Sequence, residues 1–221
     1  MRQTKTSGVE DSDAQTALAS WLCSRMGHDL VNPLAALRNG VELLEEEDDT
    51  GMRTEALQLV GAAAQRALSK LNFFRLAFGA DSSPGTTTSR EDVLEATEWM
   101  CEEFFQLHID VWREEIPRNM LKLLLQMLLL ARGCIPRGGR LCVAALEWEN
   151  GRGIAVSAEG AGAKVPGDMP ERLRESSALP EDIHGSLPAF TARLLASEGM
   201  RIDAENASDK VTLRAYKESA A

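Results

Sequence analysis

The sequence predicts an α+β protein of two domains, an N-terminal antiparallel helical hairpin and a C-terminal α/β sandwich. Three observations favour this class. Apolar residues recur at steps of three and four in residues 18–44 and again in residues 57–78, which is the period of an amphipathic helix. A turn-rich run, residues 81–88, follows the second segment. Beyond it, short strand patterns alternate with helical ones, as expected for a layered domain.

The first domain is predicted to occupy residues 13–80, after a flexible segment of residues 1–12. The apolar stripe of its first helix consists of Leu18, Leu22, Met26, Leu30, Leu34, Leu37, Val41 and Leu44. The acidic tract from Glu45 to Asp49 opposes the helix dipole and therefore predicts the end of this helix, and Gly51 allows a turn. The second helix carries a coiled-coil type of seam, formed by Leu57, Val60, Ala64, Ala67, Leu71, Phe74 and Phe78.

A hairpin of two helices leaves much of each apolar stripe exposed to water. Either a second copy of the chain covers the stripes, in a dimeric four-helix bundle, or the C-terminal domain covers them. Periodicity alone does not distinguish these two arrangements.

Residues 81–88 are predicted to be a linker, and residues 89–221 form the second domain. Thr88-Ser89-Arg90-Glu91 fits a capping box that opens a helix reaching about residue 107. Asn150-Gly151 is a strong hairpin turn signal. The remaining predicted elements are a strand at 109–113, a helix at 118–132, hairpin strands at 141–147 and 154–158, a helix at 187–197, and strands at 201–204 and 210–216.

Composition limits the possible partners and the location. The net charge of −10 argues against a nucleic acid or an anionic membrane as partner, because both require a basic surface. The sequence has no run of eighteen apolar residues and no signal-peptide pattern, so we expect a cytoplasmic protein. The four cysteines lack CxxC spacing, which predicts buried thiols and neither a zinc site nor a redox pair. His108 and His184 have no partner at ligand spacing and are interpreted as structural.

The most informative motif, residues 28–34, is His-Asp-Leu-Val-Asn-Pro-Leu in the middle of the first helix. His28 lies outside the apolar stripe, and a polar, small-residue face within about 60° of it on the helix consists of Ser24, Arg25, Asn32, Ala35 and Asn39. A proline such as Pro33 destabilises the interior of a helix by about 3 kcal/mol unless the fold requires a kink at that position. A lone exposed histidine usually has no function, and proline kinks also arise for packing reasons. A helix broken beside an exposed imidazole nevertheless indicates a site that presents a reactive side chain.

This motif resembles the phosphoacceptor box of two-component histidine kinases. The longer stretch, residues 22–33 with residues 39–44, is more similar to the ChpT-like histidine phosphotransferases, which relay phosphate between proteins. The resemblance implies that His28 is the phosphorylated imidazole, that Asp29 orients or deprotonates it, and that Asn32 positions a water or the incoming phosphoryl group. An imidazole near its ordinary pKa is a usable nucleophile at neutral pH. The resemblance also favours the homodimer, because kinase-like phosphoacceptor hairpins form four-helix bundles.

The order of elements in the second domain resembles the ATP-binding domain of histidine kinases, but its motifs are degenerate. Kinases hold magnesium with an Asn in the pattern Asn-x-x-x-Asn-Ala, where this chain has Leu130 in the run 126–131, and a leucine cannot bind Mg²⁺. The adenine-reading motif Asp-x-Gly-x-Gly is replaced by Ala-Glu-Gly-Ala-Gly at 158–162. The glycine-rich lid is reduced to His-Gly-Ser-Leu at 184–187. The resemblance therefore implies a domain that keeps its fold without binding nucleotide and serves docking.

As a whole, the resemblance implies a relay. A phosphoryl group arrives from a receiver-domain aspartate, rests on His28 and leaves to another receiver, with response regulators and the receiver of a hybrid histidine kinase as partners. No cofactor is implied, because Mg²⁺ is supplied by the partner receiver domain. Docking is predicted at the face formed by Ser24, Arg25, Ala35, Arg38 and Asn39. Arg25 is the candidate cation for a phosphoryl oxygen, with a surface ion pair as an equal alternative.

Three other functions remain open at this point. The first is an active histidine kinase core, for which nucleotide binding would be diagnostic. The second is a non-catalytic scaffold that binds receivers without being phosphorylated. The third is a phosphatase, in which Asn32 would activate a water molecule.

Overall fold

A computed structural model describes residues 6–46, 49–79, 89–101, 104–109, 116–148, 151–176 and 182–217. Its N-terminal part consists of two long antiparallel helices, α1 (Thr6–Glu46) and α2 (Thr50–Phe78). Helix α1 ends within the acidic tract, as predicted, and Asp49 caps α2 by accepting hydrogen bonds from the amides of Gly51 and Met52 at 2.9 and 3.0 Å. Gly51 therefore lies in the first turn of α2 and not in a loop. Residues 6–12, predicted to be flexible, are helical, and residues 1–5 lie outside the described ranges.

The C-terminal part is a five-stranded mixed sheet with helices packed on it, in the strand order β1-β2-β3-β5-β4. Only β1 and β2 pair in parallel, and the other neighbours are antiparallel. The predicted α+β class is confirmed. The strands are β1 (Phe105–Ile109), β2 (Gly139–Trp148), β3 (Gly151–Glu159), β4 (Arg201–Ala207) and β5 (Lys210–Tyr216), and the helices are α3 (Arg90–Thr97), a 3₁₀ turn (Glu98–Met100), α4 (Arg118–Gly133), α5 (Met169–Arg172) and α6 (Ile183–Ser197).

Two boundaries near the start of this domain differ from the sequence prediction. The helix expected to reach residue 107 ends at Thr97, and the chain enters β1 at Phe105, four residues before the predicted strand. The capping box forms one residue later than expected, because the Ser89 hydroxyl accepts from the Asp92 amide and the Asp92 carboxylate accepts from the Ser89 amide, both at 3.1 Å. The predicted linker at 81–88 and residues 110–115 lie outside the described residues.

One apolar core runs through both parts of the molecule. The fully buried Phe73 and Phe74 of α2 belong to the same cluster as the apolar face of α4 and the inner face of the sheet. A smaller cluster joins Leu18 and Leu22 of α1 to Ala189 of α6. The C-terminal domain therefore covers the N-terminal half of α1 and the C-terminal half of α2, as one of the two alternatives requires.

The rest of the hairpin keeps an uncovered apolar surface. Leu34, Val41, Leu57 and Leu71, which the periodicity assigned to buried seams, have exposed fractions of 53%, 38%, 60% and 51%. These parts of the two stripes are therefore not covered by the described residues of the same protomer. The two helices approach closely on another face, where a Cβ at Gly40 would lie 2.7 Å from Cγ2 of Val60. None of the helices in the described ranges is long and apolar enough to cross a membrane.

The cysteines differ from one another in burial. None of the four, all of which lie in described segments, forms a disulfide. Cys134 is buried, and burial raises the pKa of its thiol to about 12. Cys23 and Cys101 are exposed and Cys142 is partly buried, so the expectation of four buried thiols is wrong for the two exposed ones.

Candidate active site

His28 presents its ring to solvent from the middle of α1. The side chain is 78% exposed, and its Nδ1 lies 3.7 Å from Oδ1 of Asp29, whose side chain is 32% exposed. This separation exceeds that of a hydrogen bond but lets the carboxylate act on the ring electrostatically. The imidazole is thus accessible to a large partner and has a negative charge beside one of its nitrogens.

A backbone feature supports the turn that carries His28. In an α-helix the amide of residue 33 donates to the carbonyl of residue 29, but Pro33 has no amide hydrogen. The structure supplies another donor, because Nζ of Lys70 on α2 lies 3.1 Å from the carbonyl oxygen of Asp29. Lys70 was not identified from the sequence. Pro33 in the sequence indicates that the carbonyl of Asp29 needs another hydrogen-bond donor. The sequence does not predict that Lys70 is this donor, because the residue spacing does not determine the register between α1 and α2.

Most of the predicted docking residues lie on one accessible side of α1. Ser24, Asn32, Arg38 and Asn39 are exposed, and Ala35 is partly buried. Nε of Arg38 lies 3.3 Å from Oε1 of Glu42, one turn further along. The small and short side chains beside His28 leave room for a helix of another protein.

Arg25 is separated from this group. Its side chain is partly buried and lines a cleft between α1 and the C-terminal domain, together with Leu130 of α4 and His184 and Gly185 of α6. Its Nε is buried and has no hydrogen-bond partner among the described residues. The structure therefore brings Arg25 toward the degenerate kinase-like motifs rather than toward the open side of His28.

The residues at the kinase-like motif positions have structural roles. Gln126 is fully buried and its Nε2 donates to the carbonyl of Ala77 at 2.9 Å, so it holds the end of α2. Leu130 and Ala158 belong to the apolar core, with exposed fractions of 4% and 0%. No group of three potential metal-ligating side chains occurs in the segments that the structure describes.

The glycine motif after β3 serves a turn. Gly162 has a φ of 74°, a left-handed conformation that favours glycine, and its amide donates to Oδ1 of Asp209 at 2.8 Å. The amide of Gly160 donates to the carbonyl of Asp209 at 3.0 Å. Beside it, Lys210 binds Glu159 at 2.7 Å, and this hydrogen bond lowers the pKa of the Glu159 carboxyl. The two retained glycines thus tie the end of β3 to the turn between β4 and β5.

Comparison with known proteins identifies the family. Residues 95–210 match the family model of the histidine phosphotransferase C-terminal domain. The protein phosphotransferase ChpT of Brucella abortus (strain 2308) is 35% identical over 202 residues, which cover 90% of this chain and 94% of that protein. A solved structure of a bacterial phosphotransferase is 34% identical, with a TM-score of 0.72 over 90% of this chain and 95% of the other. The chain therefore belongs to the ChpT-like histidine phosphotransferase family.

Proposed function

We propose that this protein phosphotransferase relays a phosphoryl group between the aspartates of receiver domains through a phosphohistidine on His28, without binding ATP. One observation carries the proposal. The imidazole that the phosphoacceptor motif singles out is 78% exposed on a long helix, with a carboxylate 3.7 Å from its Nδ1. Membership in the family supplies the transferase activity, and the geometry supplies an accessible nucleophile.

The chemistry uses the two ring nitrogens differently. The carboxylate of Asp29 beside Nδ1 favours the proton on that nitrogen, which leaves the lone pair on Nε2. That lone pair attacks the phosphorus of an aspartyl phosphate, and the bond between phosphorus and the carboxylate oxygen breaks, so the carboxylate leaves with its electron pair. The positive charge that the ring gains is stabilised by Asp29. Onward transfer is the reverse reaction with a second receiver carboxylate as nucleophile.

In this proposal the partner receiver domains supply the Mg²⁺ for phosphoryl transfer. Mg²⁺ held by the receiver would neutralise the transferred phosphoryl group, as oxygen-rich sites in phosphoryl-transfer proteins do. The amide of Asn32 is exposed one turn after His28, where it can hydrogen-bond a phosphoryl oxygen. Docking of the receiver would use the exposed side of α1 that carries Ser24, Ala35, Arg38 and Asn39.

The proposal includes a homodimer, because two uncovered apolar stripes lie on the hairpin. One stripe, on α1, is formed by Val31, Leu34 and Val41, and the other, on α2, by Leu57, Leu68 and Leu71, with exposed fractions from 38% to 60%. Helical rotation places each set within an arc of about 80°. Since the two helices are antiparallel, both arcs face the same side of the hairpin. A second hairpin packed on this side completes a four-helix bundle.

The absence of ATP binding is proposed from the two positions where kinase chemistry needs oxygen ligands. Both Leu130 and Ala158 are apolar and buried, and neither offers an oxygen to a metal or an adenine amino group. A kinase core is therefore disfavoured, whereas the scaffold and the phosphatase are distinguished from the relay by experiment.

The test uses a phosphorylated receiver domain with Mg²⁺ and no ATP. We expect acid-labile, base-stable label on the wild type and on a His108→Gln control, which replaces another exposed histidine. His28→Gln is expected to remain unlabelled, and labelled wild type should pass the phosphoryl group to a second receiver. Binding without label would leave the scaffold, and release of free phosphate without transfer would indicate the phosphatase. In a separate incubation with ATP and Mg²⁺ but no phosphorylated receiver, label on the protein would indicate a kinase.

A further inference from the structure

We infer that Lys70 is a positioning residue for His28, because its ammonium group replaces the backbone hydrogen bond that Pro33 removes from the phosphoacceptor turn. The inference rests on the proposed role of His28 as phosphoacceptor. Lys70 acts through the backbone, since its Nζ contacts the carbonyl oxygen of Asp29.

The first step is the identity of the carbonyl. Among the carbonyls of α1, that of Asp29 loses its ordinary helical donor, because its partner is residue 33 and Pro33 has no amide hydrogen. Nζ of Lys70 lies 3.1 Å from this same oxygen. A partly buried carbonyl that loses its donor is destabilising, and a bond from a charged donor is stronger than one between neutral groups. The match between the position of the proline and the atom that Lys70 contacts indicates a compensating bond.

The second step is the burial of Lys70, which is 9% exposed. Lysine is rarely buried unless its charge is compensated, because removal of an ammonium group from water is costly. Besides the carbonyl of Asp29, the ammonium faces the ring of Trp99 at 5.0 Å from the centroid, within the range of a cation–π contact. Lys70 thus has attractive contacts on both sides, one in the phosphoacceptor helix and one at the start of the C-terminal domain.

The third step is the rigidity of that second contact. Trp99 is 5% exposed and packs edge-on against Phe73 with ring centroids 5.5 Å apart. The hydroxyl of Ser69, the residue before Lys70, donates to the carbonyl of Glu95 at 2.7 Å. Two adjacent residues of α2 are therefore held by the segment that opens the C-terminal domain. Lys70 transmits this support to the peptide of Asp29, which directly follows His28.

The consequence concerns the orientation of the reactive group. Without Lys70, the turn around Asp29 would have an unpaired carbonyl, and its peptide would be free to rotate toward water. The imidazole of His28 and the carboxylate of Asp29 would then lose their fixed relation. We expect slower phosphoryl transfer with little change in the binding of the receiver, since Lys70 is only 9% exposed.

The test is a double-mutant cycle that combines Lys70→Met with Pro33→Ala. Alanine at position 33 restores an amide donor for the Asp29 carbonyl, so Lys70 should become dispensable. In the wild-type background we expect Lys70→Met to lower the transfer rate at saturating receiver by about tenfold, the value of one charged hydrogen bond, with an unchanged Kd for the receiver. In the Pro33→Ala background the same substitution should change the rate by less than about threefold. Lys70→Arg should retain part of the rate, and Lys164→Met, at an exposed lysine, is the matched control.

Two kinetic results would overturn the inference. The first is an equal loss of rate from Lys70→Met in both backgrounds, because a lysine that acts only through Trp99 would show no rescue by alanine at position 33. The second is a transfer rate that Lys70→Met leaves unchanged. If Lys70→Met alone fails to fold, the double variant and Lys70→Arg still test the inference. Both keep a donor for the Asp29 carbonyl, the amide of residue 33 in the double variant and the guanidinium in Lys70→Arg.

A spectroscopic measurement separates this inference from the proposed function. The amide resonances of Asp29 and Leu30 should shift in Lys70→Met and return toward their wild-type positions in the double variant, whether or not His28 is phosphorylated. Label that never reaches His28 in the wild type would contradict the proposed function alone. Unchanged amide resonances in Lys70→Met would contradict the positioning role alone.

Discussion

The substitution Leu57→Ala tests the proposed homodimer at its apolar stripe. Leu57 is 60% exposed in the protomer, so more than half of its surface remains to be covered by a partner. Burying a whole leucine side chain contributes roughly 1.5–3 kcal/mol, and the uncovered part of this one therefore contributes about 1–2 kcal/mol. A two-fold interface contains each substitution twice, so the dimer should lose roughly 2 kcal/mol or more. We expect the dissociation constant of the dimer to rise by at least about 30-fold.

The assay is sedimentation equilibrium over a dilution series, with Leu59→Ala as the control. Leu59 is a leucine of the same helix and is 42% exposed, but it lies about 200° around the helix from Leu57 and thus outside the stripe. Its replacement should leave the dissociation constant unchanged. The reasoning is refuted if the two variants dissociate alike, or if the wild type is monomeric at every concentration.

Two further predictions concern the interior. Gln126→Leu removes the hydrogen bond to the carbonyl of Ala77 and should lower the free energy of unfolding by about 1–2 kcal/mol. Urea denaturation measures this difference. A change of less than about 0.5 kcal/mol would contradict the anchoring role of Gln126. The thiol of Cys134 has a pKa raised from 9.0 to about 12, so the unfolded chain releases this proton first as the pH rises. Above about pH 9 the wild type should lose about 1.4 kcal/mol of stability per pH unit more than Cys134→Ala, and parallel pH profiles would disprove it.

The sequence was sufficient for elements whose signals are local. Asn150-Gly151 predicted the hairpin of β2 and β3, and the two strands do pair. Trp148 pairs with Gly151, however, so Gly151 is the first residue of β3 and not a central residue of the turn, and residues 149–150 lie outside the described ranges. The apolar block from Leu121 to Ala131, although interrupted by Lys122 and Gln126, predicted α4 to within a residue. The end of α3 was missed because no glycine or proline directly follows Thr97. The first residues of β1 were therefore assigned to the helix, and the predicted strand began four residues too late.

Other features depended on contacts between distant parts of the chain. His28 was found because its motif occupies seven consecutive residues, whereas Lys70 lies 41 positions from Asp29 and has no motif of its own. The apolar stripes were recognised from their period, but periodicity cannot state what covers each part of a stripe. Leu22 is buried against the C-terminal domain, while Leu34 on the same stripe is 53% exposed.

The core shared by the two parts of the molecule favours the proposed relay over a kinase core. Phe73 and Phe74 of α2 are buried in the same cluster as α4, so separating the two parts would expose a large apolar surface at a cost of several kcal/mol. Gln126, at a position where kinases have a metal-binding motif, instead bonds the last turn of α2. The C-terminal domain is thereby fixed relative to the hairpin and to Lys70, which contacts the turn that carries His28. In the proposed relay, a receiver that docked on both parts would meet an imidazole whose position is already set, as efficient transfer between two aspartates would require.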